Sequence, residues 1–418
     1  MKVLIKQATI VDSSSPFNGK IKDIFIADGT IEKIADSINE KADKVIQEKG
    51  LCVSIGWMDI FSHFCDPGFE YRETLETGSN AAAAGGFTDV IAIPNTNPVI
   101  HNKSQVEYII QKSSNLPATI HAAGAVTKNT EGKELAEMYD MRDSGAIAFT
   151  DGINSIQSPG ILLKALQYTL AFDGIIIQQP DDKSINPHGL INEGIISTQL
   201  GLPGKPAIAE ELMIARDIEL VKYTNSKIHF TGISTQKSLE LISKAKAEGL
   251  AITCSVTPYH LFFCDEDLVT YDTNLKVNPP LRTKADMLAL RKALKDGKID
   301  CVATHHIPQH QDNKMCEFEY AKNGMIGLET TFAALSICQI QTKDLIKLLS
   351  VTPRTIFKLD IPEIKENITA KLTLFNPDME FTVDNSIIKS RSKNSAFIGK
   401  KLKGKVVGII NGKHSYFN

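Results

Sequence analysis

The sequence predicts a closed parallel (β/α)8 barrel, a TIM barrel, carrying a small β-rich domain built from both chain ends. Eight short apolar, β-branched runs recur between residues 51 and 306, each followed by a segment of helical composition. Strands alternating with helices indicate a parallel sheet closed on itself. The two ends of the chain lack that alternation and carry strand-like runs of their own. No Gly-x-Gly-x-x-Gly turn follows the first strand, which argues against the open doubly wound sheet that competes with a barrel.

The chain opens with Val3–Ile10, Ile24–Ala27 and Thr30–Ile34, broken by the turn pair Asp28-Gly29. The barrel strands are expected at Leu51–Asp59, Thr88–Ile93, Ala118–Val126 and Ala146–Asp151, then Gly174–Gln178, Lys227–Ser234, Leu250–Thr257 and Ile299–His305. Helices are expected at Ala207–Tyr223, Gln236–Glu248 and Lys284–Lys295. In the first of these, Ala209, Leu212, Ala215, Ile218 and Val221 form one apolar stripe. Lys371–Phe375 and Val406–Ile410 close the chain as strands, the latter ending in the tight-turn pair Asn411-Gly412. The expected domains are a barrel over 52–362 and a composite β-rich domain of 1–51 plus 363–418.

Composition narrows the class. Hydrophobic residues make up 42% and charged residues 23%, as in a globular protein with a sizeable core. A net charge of −3 and the lack of a clustered Lys/Arg run predict no nucleic-acid partner. No apolar stretch has the length of a membrane span, and the N-terminal run is too short for a signal peptide. The seven cysteines are scattered without a Cys-x-x-Cys pair, so the expected location is a reducing cytoplasm.

Six short motifs then fall in one order. Asp59, Phe61 and His63 alternate at the end of the first strand, so their side chains share a face. Gly68-Phe69-Glu70 precedes Glu73-Thr74, and Pro94-Asn95-Thr96-Asn97-Pro98 follows the second strand. Val277-Asn278-Pro279-Pro280-Leu281-Arg282, Gly327-Leu328-Glu329-Thr330 and Ser392-Lys393-Asn394-Ser395-Ala396-Phe397 come later. Together they make the chain resemble a dihydroorotase of the amidohydrolase superfamily, over most of its length. The resemblance implies a metal-dependent barrel in which two zinc ions and a bridging hydroxide attack a cyclic amide. Such chemistry needs a metal because bound water becomes a nucleophile near neutral pH only when its pKa is lowered.

Set against the family's motifs, most ligand positions hold other residues. Phe61 replaces the first histidine of Asp-x-His-x-His, leaving His63 as the only retained ligand. Phe149-Thr150-Asp151-Gly152 keeps one of two acids, so Gly152 stands at the bridging position unless a one-residue shift returns it to Asp151. Gln179 replaces a histidine after the fifth strand, and Gly232 replaces one after the sixth. His305 stands where the family has its catalytic aspartate, and Cys65 where it has a substrate-binding arginine. Asn95 and Asn278 match the family's substrate contacts. A carboxamide is a poor zinc donor and glycine offers none.

Three functional readings follow. The first is a catalytically inactive dihydroorotase-like protein of pyrimidine biosynthesis, a homodimer acting as structural partner of aspartate carbamoyltransferase and needing no cofactor. The partner and its pathway are implied by the resemblance alone. The second is an active cyclic-amide hydrolase with a rearranged or mononuclear site, in which His63, His305 and Asp151 hold one zinc. The third is a small-molecule binder using the barrel mouth.

Overall fold

A computed structural model describes residues 1–418. Its barrel strands are β1 (Trp57–Ser62), β2 (Phe87–Ala92), β3 (Thr119–Gly124), β4 (Ala148–Phe149), β5 (Ile176–Gln178), β6 (Ile228–Phe230), β7 (Ile252–Val256) and β8 (Cys301–Val302). Neighbours pair in parallel in chain order. The ring closes where Ser62 bridges His306 and the His63 amide donates to the His306 carbonyl at 2.9 Å. Helices begin where the sequence supplies a cap: Thr74, Asn102, Ser158, Thr235 and Thr283 each accept from a backbone N–H of the first turn. No helix is long and apolar enough to cross a membrane.

Both chain ends enter one sheet. Lys2–Val11, Ile21–Ala27, Thr30–Ala35 and Cys52–Ile55 come from the N-terminal side, and Lys371–Thr382, Lys401–Asn411 and His414–Phe417 from the C-terminal side. The seam is Cys52–Ile55 against Leu372–Phe375. The single strand expected over Leu51–Asp59 is therefore two. Residues 52–55 belong to the terminal sheet, and the barrel strand starts at Trp57. Gly56 marks the change, since a Cβ there would run into the Thr88 side chain. Trp57 then packs between the layers, with its ring centroid 4.9 Å from Phe332 and 5.4 Å from Phe375.

The helix expected over 207–223 forms at Ile208–Thr224, but its buried stripe is rotated from the expected one. Leu212 is 48% exposed, while Glu210 and Asp217 are buried. Glu210 accepts from the Ser234 and Thr235 amides and from the Ser234 and Ser238 hydroxyls. Asp217 accepts from Arg216 at 2.7 Å and from Gln178 at 3.3 Å. Acids bury when such donors are waiting, and no periodicity of apolar residues reveals those donors.

Asp89, near the start of β2, joins the layers. Its carboxylate pairs with Arg354 at 2.5 Å, Lys371 at 2.8 Å and His121 at 3.0 Å. Arg354 also donates to the Gly56 carbonyl at 2.7 Å. Burial works to raise the Asp89 carboxyl, but the His121 hydrogen bond and the Arg354 and Lys371 charges override it and hold it well below the usual carboxylate range. A carboxyl lowered on folding contributes stability above its unfolded pKa, and loses it as pH falls through the folded value. We predict that Asp89→Ala, which leaves the Arg354 guanidinium buried without its counter-charge, destabilises the fold by about 3–5 kcal/mol. Urea unfolding near neutral pH measures the loss.

Candidate functional site

The C-terminal ends of the barrel strands form the mouth where barrels of this kind place their chemistry. Here the positions expected to hold metal ligands are filled from within. Phe61 is fully buried and stacks on the His305 ring, with centroids 4.3 Å apart and planes 25° from parallel. His305 in turn covers Gly232, where an added Cβ would lie 2.6 Å from the ring's Cε1. Gly232 has φ +67°, a conformation suited to glycine. Gly152 has φ +62°, and a Cβ there would run into Asn95 Oδ1. The Asn95 amide bridges across that gap, donating to the Asp151 carbonyl at 3.0 Å and accepting from the Ile153 amide at 3.1 Å. Gln179 donates its amide to the Asn278 carbonyl at 2.9 Å.

The Nε2 atoms of the two candidate histidines are hydrogen-bonded as well. His63 Nε2 lies 2.9 Å from the Asn95 carbonyl, an acceptor only, so Nε2 carries the proton. Its buried Nδ1 has no partner. His305 Nε2 meets the Thr231 hydroxyl at 2.8 Å. Behind it runs a chain: Ser255 donates to Thr231 at 3.0 Å, His229 Nε2 meets Ser255 at 3.0 Å, and Thr253 meets His229 Nδ1 at 2.8 Å. Ser255 donates to Thr231, so His229 Nε2 donates to Ser255 and Thr253 donates to His229 Nδ1, which keeps His229 neutral. The Thr231 hydroxyl holds His305 through Nε2. The signal was present in the sequence, since His229/Thr231 and Thr253/Ser255 alternate along otherwise apolar strands, but their partners across the barrel were not.

Asp151 is also occupied: its oxygens accept from the Thr127 amide at 2.9 Å and hydroxyl at 2.5 Å. Burial raises its carboxyl to about 6. His306 points away from His305, toward Glu73 at 3.3 Å, and its Nδ1 accepts from the Gly327 amide at 3.3 Å. Cys65 is buried, with its thiol pushed up to about 12 by that burial. No group of three His, Cys, Asp or Glu side chains stands close enough to hold a metal ion. The residues present do not fit a two-zinc centre. His63 keeps a free lone pair on its unpartnered Nδ1, but no group of donors stands beside it to complete a zinc site.

Beside the mouth lies a cavity of about 260 Å³ lined by Asp181, Lys205 and Asn278 among others. Asp181 is only 5% exposed and pairs with Lys205 at 2.6 Å. Asn278 accepts from the same lysine at 3.1 Å. Neither Asn95 nor Asn278 merely caps its own turn; both span loops. Lys205 reaches this point through the two-stranded pairing of Ile191–Asn192 with Gly204–Lys205, which sequence reading did not foresee.

The whole architecture matches that of solved hydantoinases. It superposes on L-hydantoinase (dihydropyrimidinase) from Arthrobacter aurescens with TM-score 0.83 and 23% identity, covering 98% of this chain and 94% of that one. D-hydantoinase (dihydropyrimidinase) from a Thermus species gives TM-score 0.80 at 20% identity, covering 100% and 95%. These likenesses define the class of fold, a closed parallel eight-stranded barrel with a terminal β-sheet. Sequence relatives are nearer. A dihydro-orotase-like family model matches residues 51–238. A dihydroorotase of Pelotomaculum thermopropionicum is 40% identical over 97% of this chain and 96% of its own. A dihydroorotase of Syntrophus aciditrophicus is 36% identical over 100% and 99%. The chain belongs to the dihydroorotase family.

Two expected outcomes follow from the filled mouth. Gly232→His, which restores one family ligand, collides with the His305 ring and forces a side chain into left-handed backbone. It destabilises the fold by roughly 1–3 kcal/mol, the range of core overpacking, and leaves zinc uptake unchanged. Thermal unfolding and elemental analysis check both parts. Burial also lowers His63, His229 and His305 to about 3, and His260 to about 4, from the ordinary 6.5. Groups kept neutral on folding contribute fully above the unfolded pKa, and that contribution is lost as pH falls toward the folded values. The thermal midpoint therefore drops with acidification below pH 6.5, and His229→Gln makes the drop shallower.

Proposed function

We propose that this dihydroorotase-family chain has lost the hydrolytic step and serves as a structural partner of aspartate carbamoyltransferase, as a cytoplasmic homodimer. The observation that carries the loss of chemistry is the pairwise filling of the vacated ligand positions: His305 and Phe61 over Gly232, and Asn95 over Gly152. Without a metal-bound hydroxide the nucleophile would be neutral water, and the general acid/base would be a histidine whose Nε2 is already hydrogen-bonded to Thr231. The partner rests on family resemblance, and a two-fold dimer is the simplest closed assembly.

The competing reading is an active dihydroorotase with a single rearranged metal. Elemental analysis of the chain purified from its native cell, together with dihydroorotate turnover in added zinc, separates the two. The expected outcome is well below one metal per chain and no turnover above background. Turnover that disappears in His305→Ala would overturn the proposal. Co-purification tests the association: a transcarbamoylase should accompany the dimer at physiological salt, and a free monomer would end that part.

A further inference from the structure

Two lysines are buried at the rim of the mouth without an acidic partner. Lys276 is 4% exposed and Lys314 is 7% exposed. Lys276 Nζ donates to the Phe318 and Glu319 carbonyls at 2.7 and 2.9 Å. Lys314 Nζ donates to the Thr273 carbonyl at 2.8 Å and the Lys276 carbonyl at 3.3 Å. An ammonium group has three donors, so Lys314 keeps one in hand. Carbonyl dipoles solvate such a charge but do not neutralise it, and an uncompensated buried charge is costly.

Lys314 lines a cavity of about 600 Å³, bounded by the loops after β1, β7 and β8 and by residues 385–398. Its wall also carries Arg391, Lys393 and His310, and no Asp or Glu. Arg391 gives one Nη1 bond of 2.9 Å to the Glu70 carbonyl, which leaves the rest of its fork without a protein partner. The same cavity has an apolar edge, with Met315 72% exposed and Tyr71 52% exposed. The volume falls within the range of small-molecule pockets, roughly 300–1,000 Å³. None of its lining residues lines the Asp181–Lys205 cavity.

We propose that this cavity binds a small organic oxyanion, a phosphate or carboxylate carried on an apolar body, through Lys314 and Arg391. The cationic floor supplies the charge-assisted donors, and the guanidinium fork matches the planar geometry of an oxyanion. Tyr71 and Met315 take the apolar part. Burial and the Lys276 charge push the Lys314 ammonium down to about 7, and a bound anion supplies the counter-charge that the protein withholds. This site is independent of whether the mouth hydrolyses anything.

Isothermal titration of the full chain at fixed ionic strength tests it, using phenyl phosphate, benzoate, inorganic phosphate and the neutral analogue phenol. We expect saturable one-site binding of phenyl phosphate or benzoate, tighter than inorganic phosphate and absent with phenol. Whichever of the two organic anions binds tighter identifies the head group. Lys314→Met and Arg391→Met should each weaken binding by roughly tenfold or more, as expected for one lost charge-assisted hydrogen bond. Lys103→Met, at a residue that does not line the cavity, should not. Arg391 is exposed, so its variant remains informative if Lys314→Met fails to fold. Absence of saturable binding by both organic anions would overturn the proposal, as would unchanged affinity in Arg391→Met. Capture of a hexaglutamate peptide but neither small anion would also overturn it, making the cavity a protein-docking surface.

Discussion

A single buried carboxylate, Asp89, ties the barrel to everything around it. Its partners come from β3, from the helix that follows the barrel and from the terminal sheet, through His121, Arg354 and Lys371. A charge removed from water must be paired closely to be tolerated, so each of these segments is held to one position. Arg354 extends the constraint to the Gly56 carbonyl, where the chain passes from the terminal sheet into β1. Trp57, the next residue, packs against Phe87, Phe332 and Phe375 at the same junction. The base of the barrel is therefore set by interactions that involve none of the candidate ligand positions.

That separation leaves the mouth free to vary without disturbing the fold. In barrels of this kind the N-terminal face carries stability and the C-terminal face carries function. At the mouth, each substitution is matched by a neighbour that takes up its space or its hydrogen bonds. The stacked Phe61 and His305 rings fill the volume above Gly232. Asn95 fills the volume above Gly152, and Gln179 turns to the Asn278 carbonyl. Protein interiors are close-packed, so an emptied ligand position must be repacked or hydrated. The chain from Thr253 to His305 does the polar part of that repacking, since every hydroxyl and imidazole in it has a complementary partner.

What remains reactive or charged lies at the edges. The cavity beside the mouth is organised by the Asp181–Lys205 pair, and the larger rim cavity by cations that have no acid opposite them. Buried lysines are costly, and the two here are held by backbone carbonyls and, for Lys276, by the face of the Phe318 ring. Such an arrangement makes physical sense when an anion completes it.

The sequence by itself determined the architecture and the residue types that stand at the barrel mouth. Strand–helix alternation is a local periodicity, so eight strands and the two β-like ends were legible without coordinates. The identities at 61, 152, 179, 232 and 305 were equally legible, because missing donor atoms can be read directly from residue type. The tertiary structure alone decided where one strand became two at Gly56, and why Glu210 and Asp217 are buried where Leu212 is exposed. It also decided that His63 and His305 have committed their Nε2 atoms, that Asn95 fills the place above Gly152, that Lys205 reaches Asp181, and that Lys314 is buried. The reason is common to all of them. Periodicity is encoded along the chain, whereas a hydrogen-bond partner, a filled volume or an unpaired charge depends on residues brought together from distant points in it.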